Sequence, residues 1–453
     1  MAPLDEVFKA YDIRGVVPDE LNADLARKVG SAFAAFAHTP RILVGRDMRP
    51  SGPELVAAFT EGVVAAGVDV VLLDLISTDE MFYASGAFGA PGAVFTASHN
   101  PARYNGIKLC LAGARPVGAE SGLAEIKAAV HKDDLPVVPE AQRGTISHRD
   151  VLADYAAKVR SFVDLSVLKP LRVVADTGNG MGGLVVPAVF DGLPFELDML
   201  YPELDGNFPN HPADPIQPAN LADLQARLLE TGADVGLAFD GDADRCFLVD
   251  DKAQPVSGST TTAMVAKAML EKYPGSIVLH NLICSKAVPE VVRENGGTPV
   301  VTRVGHSFIK GVMAETGAVF GGEHSGHYYF RDNYRADSGS IAALSVLEVI
   351  SKAGIPLSEL RKPFERYAGS GEINTEVMDP AGTVDGIAEY FAKEDPAASQ
   401  ARMDGLTVDC GDWWFNVRPS NTEPLVRLNV EAASTQSCRQ HTDELLSLIR
   451  GQA

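Results

Sequence analysis

The sequence is poor in cysteine and has no pair of cysteines spaced as C-x-x-C. Its five cysteines are odd in number and widely separated, which favours neither a disulfide framework nor a zinc site. They are Cys110, Cys246, Cys284, Cys410 and Cys438. We expect all of them to be reduced thiols buried in the protein.

Basic residues are also scarce. Lysine and arginine total 39 against 60 aspartates and glutamates, which gives a formal net charge of -21. This balance argues against nucleic acid or an anionic membrane surface as a partner, although a small anion can still bind where basic groups converge locally.

Long apolar runs are missing as well. The longest, at 63–76, is interrupted by Gly67, Asp69 and Asp74, and the N-terminus lacks the basic and apolar pattern of a signal peptide. We therefore expect a cytoplasmic protein that has no membrane partner.

What the sequence does contain is a repeated unit of apolar strand, polar loop, helix and second apolar strand. The unit begins at Arg41, Leu171 and Ser276, and the total of 453 residues exceeds what a single core holds. The C-terminal part differs, with apolar strands on both sides of 418–424 and a helical period over 434–449. These patterns predict an α/β protein with three related mixed-sheet α/β domains plus a smaller C-terminal α+β domain around a central cleft. The predicted domains are 1–148, 149–254, 255–366 and 367–453.

Asp240, Asp242 and Asp244 alternate along a loop that follows the apolar run 235–239. A tight loop at a strand end can turn such carboxylates onto one point, where their mutual repulsion calls for a counter-charge. A hard divalent cation such as Mg²⁺ prefers oxygen ligands of this kind. The loop therefore predicts a metal site.

Two plainer interpretations of this acidic loop are an EF-hand and a solvated turn. An EF-hand needs Gly and Glu where this chain has Arg245 and Asp251, and it needs helices rather than strands on both sides. A solvated acidic turn remains open. The guanidinium of Arg245 beside the carboxylates argues for a phosphoryl group that contacts both guanidinium and cation.

Ser98 lies in a Thr-Ala-Ser-His-Asn-Pro loop directly after the apolar strand at 92–95. A serine there can be a simple turn-former, and the G-x-S-x-G pattern of serine hydrolases is absent. Phosphoryl transfer fits better, because it requires an oxygen nucleophile near a cation held by carboxylates. Lys108, ten residues further on, is either a surface lysine or a cation and proton carrier beside the transferring group.

Two further loops concentrate side chains that bind ligands. The segment 418–422 places a guanidinium, hydroxyls and an amide in a turn fixed by proline, which suits a phosphate that is not transferred, and Arg427 could add a second cation. Glu323 and Ser325 could bind vicinal sugar hydroxyls. The segment 418–422 is alternatively a polar hairpin turn. His327 is alternatively a polar loop residue whose hydrogen bonds are satisfied within the protein.

The segment 178–183 satisfies the G-x-G-x-x-G pattern of dinucleotide-binding proteins, with Glu196 or Asp198 where an acidic residue is expected. It keeps a dinucleotide-dependent oxidoreductase open as an alternative of another class. A non-enzymatic protein that binds divalent cations or sugar phosphates is a third hypothesis. The variant Ser98→Ala separates it, because a pure binder has no turnover to lose.

In order and kind, the four loops resemble the active-site segments of the α-D-phosphohexomutase superfamily. The resemblance extends over the whole chain and includes the N-terminal Phe-Lys-Ala-Tyr-Asp-Ile-Arg-Gly at 8–15. The Gly-Glu-His-Ser-Gly-His at 322–327 looks closest to bacterial phosphomannomutase and phosphoglucomutase members.

The resemblance implies a role for each matching residue. Ser98 would carry the phosphoryl group and would bind one Mg²⁺ together with Asp240, Asp242 and Asp244. The catalytic residues would be Ser98, His99, Lys108 and Arg245, with Lys108 as the preferred acid and base. The substrate would be bound by Tyr11, Arg14, His306, Glu323, Ser325, His327, Arg418, Ser420, Asn421, Thr422 and Arg427.

The implied reaction interconverts hexose 1-phosphate and hexose 6-phosphate, of mannose, glucose or both, through phosphoserine and a hexose 1,6-bisphosphate that also acts as activator. A phosphoglucosamine mutase is the nearest alternative. Some bifunctional members carry lysine where Ile283 stands, which leaves the preferred sugar open. The expected partners are small sugar phosphates, with neither nucleic acid nor membrane, and the chain would be a monomer or a homodimer.

Overall fold

The structure is a computed structural model that describes residues 4–420 and 424–451, with only the backbone described at 306 and 307. Within these residues the strands form four separate sheets in chain order. The first three sheets are mixed and the fourth is antiparallel.

The first domain contains one large sheet and five helices among the described residues. Its elements are α1 (Leu4–Val7), β1 (Ile13–Val16), α2 (Ala23–Ala37), β2 (Arg41–Arg46), α3 (Gly52–Ala65), β3 (Asp69–Leu75), α4 (Thr78–Phe88), β4 (Gly92–Phe95), β5 (Tyr104–Leu111), β6 (Arg115–Pro116), α5 (Leu123–Lys132) and β7 (Ile146–His148).

The second and third domains are built on smaller sheets. The second contains α6 (Leu152–Arg160), β8 (Leu171–Asp176), α7 (Gly182–Phe190), β9 (Phe195–Leu200), α8 (Ala222–Thr231), β10 (Val235–Phe239), β11 (Cys246–Asp250) and β12 (Pro255–Val256). The third contains α9 (Gly258–Lys272), β13 (Ile277–Asn281), α10 (Ala287–Glu294), β14 (Thr298–Thr302), α11 (His306–Thr316), β15 (Phe320–Gly322), β16 (Tyr328–Phe330), α12 (Gly339–Ala353) and α13 (Leu357–Leu360).

The fourth domain is an antiparallel sheet in the order β17-β21-β20-β19-β18, with two helices packed against one face. Its elements are β17 (Ala368–Glu376), α14 (Pro380–Glu394), β18 (Ser399–Ala401), β19 (Leu406–Asp409), β20 (Trp413–Pro419), β21 (Leu425–Ala432) and α15 (Thr435–Ile449). Phe391, Phe415, Leu428 and Leu445 belong to the core between sheet and helices. The predicted C-terminal α+β domain is confirmed.

The first three sheets share one topology. A central strand (β2, β8 or β13) has parallel neighbours on both sides, and the later of these forms an antiparallel pair with the next strand. Those antiparallel pairs are β4 with β5, β10 with β11 and β15 with β16. The three related mixed-sheet domains predicted from the repeated unit are confirmed, and the loops at Ser98, Asp240 and Glu323 occupy the same position in each.

One strand of the third repeat begins later than its sequence indicates. The segment 317–320 matches the letters of 92–95, yet β15 starts only at Phe320. The reason is that Gly317 ends α11 in a left-handed conformation with φ of 69°, where its N–H bonds Met313. The end of α11 therefore leaves only Phe320 of this segment in the strand, whereas all of 92–95 forms β4.

The prediction of buried thiols is confirmed for four cysteines and wrong for the fifth. Cys110, Cys246, Cys284 and Cys438 are buried and free, whereas Cys410 is only partly buried. Cys410 lies just past the end of β19, where the chain turns toward β20 near the surface.

The N-terminus of α4 joins the first three domains. The carboxylate of Asp79 accepts hydrogen bonds from Tyr155 of α6 (2.8 Å) and from Ser338, which caps α12 (2.6 Å). Asp79 is buried, and burial raises its pKa well above the ordinary value. The helix itself begins with a capping box in which Ser77 and Glu80 bond each other's backbone N–H.

No single helix in the described part of the chain has the length and apolar character to cross a membrane. One bent pair, Gly339–Ala353 with Leu357–Phe364, passes the same test by length and composition only.

The capping box gives a pH-dependent prediction. Burial raises the pKa of Glu80 from its ordinary 4.5 to about 7, so the folded protein holds a proton that the unfolded chain releases. Stability is therefore greatest below pH 4.5 for this group and falls as pH rises through about 7, by about 3 kcal/mol in total.

We expect Glu80→Gln to remove this penalty while keeping an acceptor for the Ser77 N–H. The melting temperature of the variant relative to the natural protein should rise between pH 5 and pH 8, measured by calorimetry across that range. A difference in melting temperature that does not change with pH would contradict the assignment.

Candidate active site

The Ser98 loop and the Asp240 loop meet across the boundary between the first and second domains. The Oγ of Ser98 donates a hydrogen bond of 2.6 Å to Oδ2 of Asp240. Ser98 has a φ of 48°, and its N–H bonds the Thr96 hydroxyl at 2.9 Å. A side chain at Gly241 would come within 2.4 Å of the Ser98 carbonyl, so the contact requires glycine there.

A buried arginine that the sequence patterns did not indicate holds the Ser98 loop. The guanidinium of Arg49 donates to the carbonyl groups of Ser98 (2.8 Å) and Asn100 (2.7 Å), and also to those of Pro101 and Tyr104. Its Nε donates to the carboxylate of Asp47. Arg49 has no exposed surface, so these carbonyl groups replace all of its solvation.

The three loop aspartates lie together and are buried. Asp240, Asp242 and Asp244 each present a carboxylate oxygen within 4.8 Å of the other two. The Oδ1 atoms of Asp242 and Asp244 are buried and have no hydrogen-bond partner among the described residues. Buried carboxylate oxygens without a partner are costly, and an oxygen-preferring divalent cation would satisfy them. The donor set therefore fits a divalent metal ion.

Lys108 supplies positive charge to this cluster in the structure. Its Nζ lies 2.7 Å from an oxygen of Asp242 and 2.7 Å from one of Asp244. Burial alone would lower the pKa of Lys108, but the two carboxylates outweigh it and raise the pKa. Burial likewise acts to raise the pKa of Asp242, and the charge of Lys108 reverses the direction. Burial does prevail at Asp240, whose pKa rises to about 7.

Arg245 lies beside the hydrogen bond between Ser98 and Asp240 and contacts both residues. Its guanidinium is 2.9 Å from Asp240 Oδ2, and its Nη2 is 3.4 Å from Ser98 Oγ and 2.7 Å from His99 Nδ1. Burial and the Arg245 charge lower the pKa of His99 to about 3. His99 is therefore neutral, and its Nδ1 accepts a hydrogen bond from Nη2 of Arg245. The predicted catalytic residues Ser98, His99, Lys108 and Arg245 all lie around the aspartate cluster.

Thr78 is a second contact that the sequence patterns missed. Its Oγ1 donates to Asp242 Oδ2 at 2.6 Å, and its N–H bonds the Asp242 carbonyl. Oδ2 of Asp242 accepts hydrogen bonds from Thr78 and Lys108, so its Oδ1 atom is available to a cation. Thr78 thus fixes the orientation of a carboxylate in the neighbouring domain.

The Glu323 loop is held by contacts within the third domain. Glu323 is 1% exposed, and it accepts hydrogen bonds from Tyr329 (2.7 Å), Asn281 (3.2 Å) and the N–H of Gly305 (3.1 Å). Ser325 is partly exposed beside it. The carboxylate therefore lies in a fixed position at the end of β15.

His327 points toward the metal loop. Its Nδ1 is 2.9 Å from Asp337 and 4.0 Å from Asp244. Burial opposes protonation of His327, but the hydrogen bond to Asp337 and the nearby carboxylates raise its pKa. The other oxygen of Asp337 pairs with the buried Lys310 at 2.8 Å. His327 therefore connects the Glu323 loop of the third domain to the acidic cluster of the second.

In the fourth domain, Arg418 and Arg427 stand opposite each other on β20 and β21. Both contact the carboxylate of Glu372 on β17, at 2.6 Å and 3.3 Å. The backbone N–H of Ser420 bonds Leu425 at the start of the next strand. The remaining predicted residues of this loop, Asn421 and Thr422, lie outside the described residues.

The N-terminal residues contact the third domain and the Ser98 loop. The hydroxyl of Tyr11 bonds the Val304 carbonyl at 3.3 Å. Burial raises the pKa of Tyr11, and the charges of Asp404 and Glu323 raise it further. Arg14 bonds Asn100 of the Ser98 loop at 2.6 Å. A further predicted cleft residue, His306, begins α11 of the third domain, and its side chain is outside the described ones.

The glycine-rich segment at 178–183 packs inside the second domain. The N–H of Met181 bonds the Gly241 carbonyl at 2.9 Å, and a side chain at Gly180 would come within 2.7 Å of that carbonyl. The glycines therefore allow the α7 turn to support the metal loop. This packing accounts for the dinucleotide-like pattern without a nucleotide.

Comparison with known families matches the whole arrangement. Family models described as phosphoglucomutase/phosphomannomutase, alpha/beta/alpha domains I, II and III, and C-terminal domain match successive parts of the chain. The matched residues are 5–136, 153–254, 257–367 and 372–447.

Individual relatives match nearly the whole chain. The chain is 39% identical over 450 residues to a phosphomannomutase of Escherichia coli strain K12, covering 98% of each protein. It is 40% identical over 447 residues to a protein of Xanthomonas campestris pv. campestris (strain ATCC 33913) named phosphohexose mutases, covering 98% of this chain and 99% of that one. A solved structure of a phosphoglucomutase/phosphomannomutase family protein from Burkholderia thailandensis has a TM-score of 0.89 at 32% identity, covering 99% and 98% of the two chains.

The contact between Thr78 and Asp242 gives a prediction for metal binding. Thr78→Val removes the hydroxyl that orients Asp242 and should weaken the affinity for a divalent cation about tenfold, whereas Thr78→Ser should keep it. Titration calorimetry with Mg²⁺ and with Mn²⁺ measures the affinity.

Thr60→Val is the matched control, because Thr60 is also buried and its hydroxyl has no partner among the described residues. Equal cation affinity in the Thr78→Val variant and the natural protein would contradict the positioning role.

Proposed function

The chain belongs to the phosphoglucomutase/phosphomannomutase family, and on this premise we propose that it moves a phosphoryl group within a hexose phosphate through a phosphoserine at Ser98. The protein is a phosphohexomutase, an isomerase. The observation that carries the serine mechanism is the hydrogen bond of 2.6 Å between Ser98 Oγ and Asp240, which joins two domains. An oxygen nucleophile at a carboxylate cluster is what phosphoryl transfer requires.

In the proposed reaction, phosphorylated Ser98 donates its phosphoryl group to the free hydroxyl of a hexose monophosphate. The bond between phosphorus and the serine oxygen breaks, and a bond to the sugar oxygen forms. The hydroxyl proton passes to a base, and the serine oxygen is protonated again. A hexose 1,6-bisphosphate results, turns end for end, and returns its other phosphoryl group to Ser98.

Residues around Ser98 stabilise the transferring group. Arg245 lies 3.4 Å from Ser98 Oγ and can donate to phosphoryl oxygens, while neutral His99 fixes the guanidinium. Lys108 is the preferred acid and base, because its Nζ contacts the cluster beside the reacting oxygen. A cation held by Asp242 and Asp244 would offset the negative charge that raises the pKa of Lys108, so that its neutral amine could take the proton of the sugar hydroxyl and pass it to the serine oxygen.

Magnesium is the proposed metal. Ser98, Asp240, Asp242 and Asp244 supply only oxygen atoms, the ligands that Mg²⁺ prefers, and the unpartnered oxygens of two of these aspartates support an added cation. When bound, the ion would supply charge neutralisation for the phosphoryl group.

The remaining predicted residues would bind the sugar phosphate. Glu323 and Ser325 would bind ring hydroxyls. The residues that would line the cleft are Tyr11, Arg14, His306 and His327. The distal phosphate would be bound by Arg418, Ser420, Asn421, Thr422 and Arg427. We assign these functions to the domains predicted above, with the phosphoserine loop in 1–148, the metal loop in 149–254, sugar recognition in 255–366 and phosphate binding in 367–453.

Mannose phosphate is the proposed substrate, with glucose phosphate as the second. The relatives named phosphomannomutase, which match along the full chain, support mannose. Ile283 lines the same cavity as His324, so this position contacts the space between the third and fourth domains. An apolar side chain there cannot donate a hydrogen bond to a substrate oxygen.

Ser98→Ala tests the covalent mechanism. After incubation with a hexose 1,6-bisphosphate, intact-mass analysis should show one added phosphoryl group on the natural protein and on the Ser447→Ala control, but none on Ser98→Ala. A coupled assay with mannose 1-phosphate, glucose 1-phosphate and Mg²⁺ should show loss of turnover only in the Ser98 variant. Added phosphate that persists in Ser98→Ala would refute the assignment.

Lys108→Met tests proton transfer. We expect kcat to fall by about 10²- to 10⁴-fold, the usual contribution of a positioned acid and base. The exposed Lys393 provides the matched control, because Lys393→Met removes a lysine charge far from the cluster. Unchanged kcat in Lys108→Met, measured in the same coupled assay, would remove Lys108 from the mechanism.

A further inference from the structure

Glu372 is placed by an irregularity in β17. The register between β17 and β21 shifts between Gly369 and Glu372, and Gly371 has a φ of 70°. Such bulges redirect the side chain that follows. Here the side chain of Glu372 contacts both Arg418 and Arg427 on the face of the sheet away from the helices.

The two arginines are not satisfied by this one carboxylate. The Nη1 atom of Arg418 and the Nε atom of Arg427 are buried and have no hydrogen-bond partner among the described residues. The Arg418 side chain is 8% exposed, while that of Glu372 is 29% exposed. Two guanidinium groups facing one carboxylate leave one positive charge and two donors without a partner in the described part of the chain, which a phosphate would satisfy.

A phosphate bound by these arginines must share them with Glu372. The carboxylate repels the phosphate because both are anionic, and it competes for the same N–H donors. We propose that Glu372 sets the rate at which the distal phosphate is released, by keeping the arginine pair too weak to hold a phosphate permanently.

We call Arg418 and Arg427 the phosphate clamp. This role rests on the proposed function, in which the clamp must release one end of the bisphosphate and accept the other during each turnover. A clamp made only of cations would bind substrate, intermediate and product tightly and would slow that exchange. Uniformly tight binding lowers KM without raising kcat. A carboxylate fixed against the cations shortens the lifetime of each bound state and so favours turnover.

The test compares Glu372→Gln with Glu376→Gln. Glutamine keeps an acceptor for Arg418 and removes only the charge. Glu376 lies on the same strand, four residues on, and is exposed, so its variant makes the same change in net charge away from the arginines.

Titration calorimetry with inorganic phosphate should show roughly two- to fivefold tighter binding by Glu372→Gln and no change for Glu376→Gln, the effect expected for a partly exposed charge pair. In the coupled assay with mannose 1-phosphate, KM and kcat should both fall in Glu372→Gln, because release is slower. Weaker or unchanged phosphate binding in Glu372→Gln would overturn the proposal.

Arg418→Gln separates this proposal from the proposed function. Phosphate binding that depends on Arg418 but not on Glu372 would overturn the release role and leave the clamp in place. Phosphate affinity that is unchanged in Arg418→Gln would overturn both the assignment of Arg418 to the clamp and the release role of Glu372. The calorimetric comparison needs no turnover, so an inactive enzyme would count against the mutase proposal alone.

Discussion

The hydrogen bond between Ser98 and Asp240 is the contact on which the rest of the site depends. It brings the tip of a first-domain strand against the tip of a second-domain strand, in a buried environment. Three buried carboxylates would repel one another there, and the ammonium of Lys108 and the guanidinium of Arg245 offset that repulsion. Buried ion pairs of this kind add little net stability but are costly to break, so they fix one geometry.

A single topology explains why loops from distant parts of the chain have related places. In each of the first three domains, the loop lies between a buried parallel strand and the antiparallel strand that returns beside it. The same position then carries different chemistry, with a hydroxyl in the first, carboxylates in the second and a buried glutamate in the third. Thr78 and Asp79, at the N-terminus of α4, bond residues of the second and third domains and so hold the three domains in one arrangement. The fourth domain supplies the arginine pair.

The loops could be predicted from sequence because their chemistry is concentrated in consecutive residues after apolar strands, as in 240–245 and 96–101. The sequence could not predict the roles of Arg49, Thr78 and Glu372. Each of them contacts a residue far away in the chain, and only the tertiary structure shows the contact. The capping box at 77–80, which the structure shows at the start of α4, likewise does not reveal what Thr78 contacts. The glycine pattern at 178–183 left a dinucleotide site open as an alternative for the same reason, because only the structure shows that these glycines pack against Gly241.

The central claim is that the serine oxygen of one domain and the aspartates of the next form one cation site. The most direct measurement is pulsed electron-nuclear double resonance on protein phosphorylated with a hexose bisphosphate and loaded with Mn²⁺. The account predicts a strong coupling between the manganese and a phosphorus nucleus one oxygen away, which disappears in Ser98→Ala. Bound manganese without phosphorus coupling in the phosphorylated protein would contradict it.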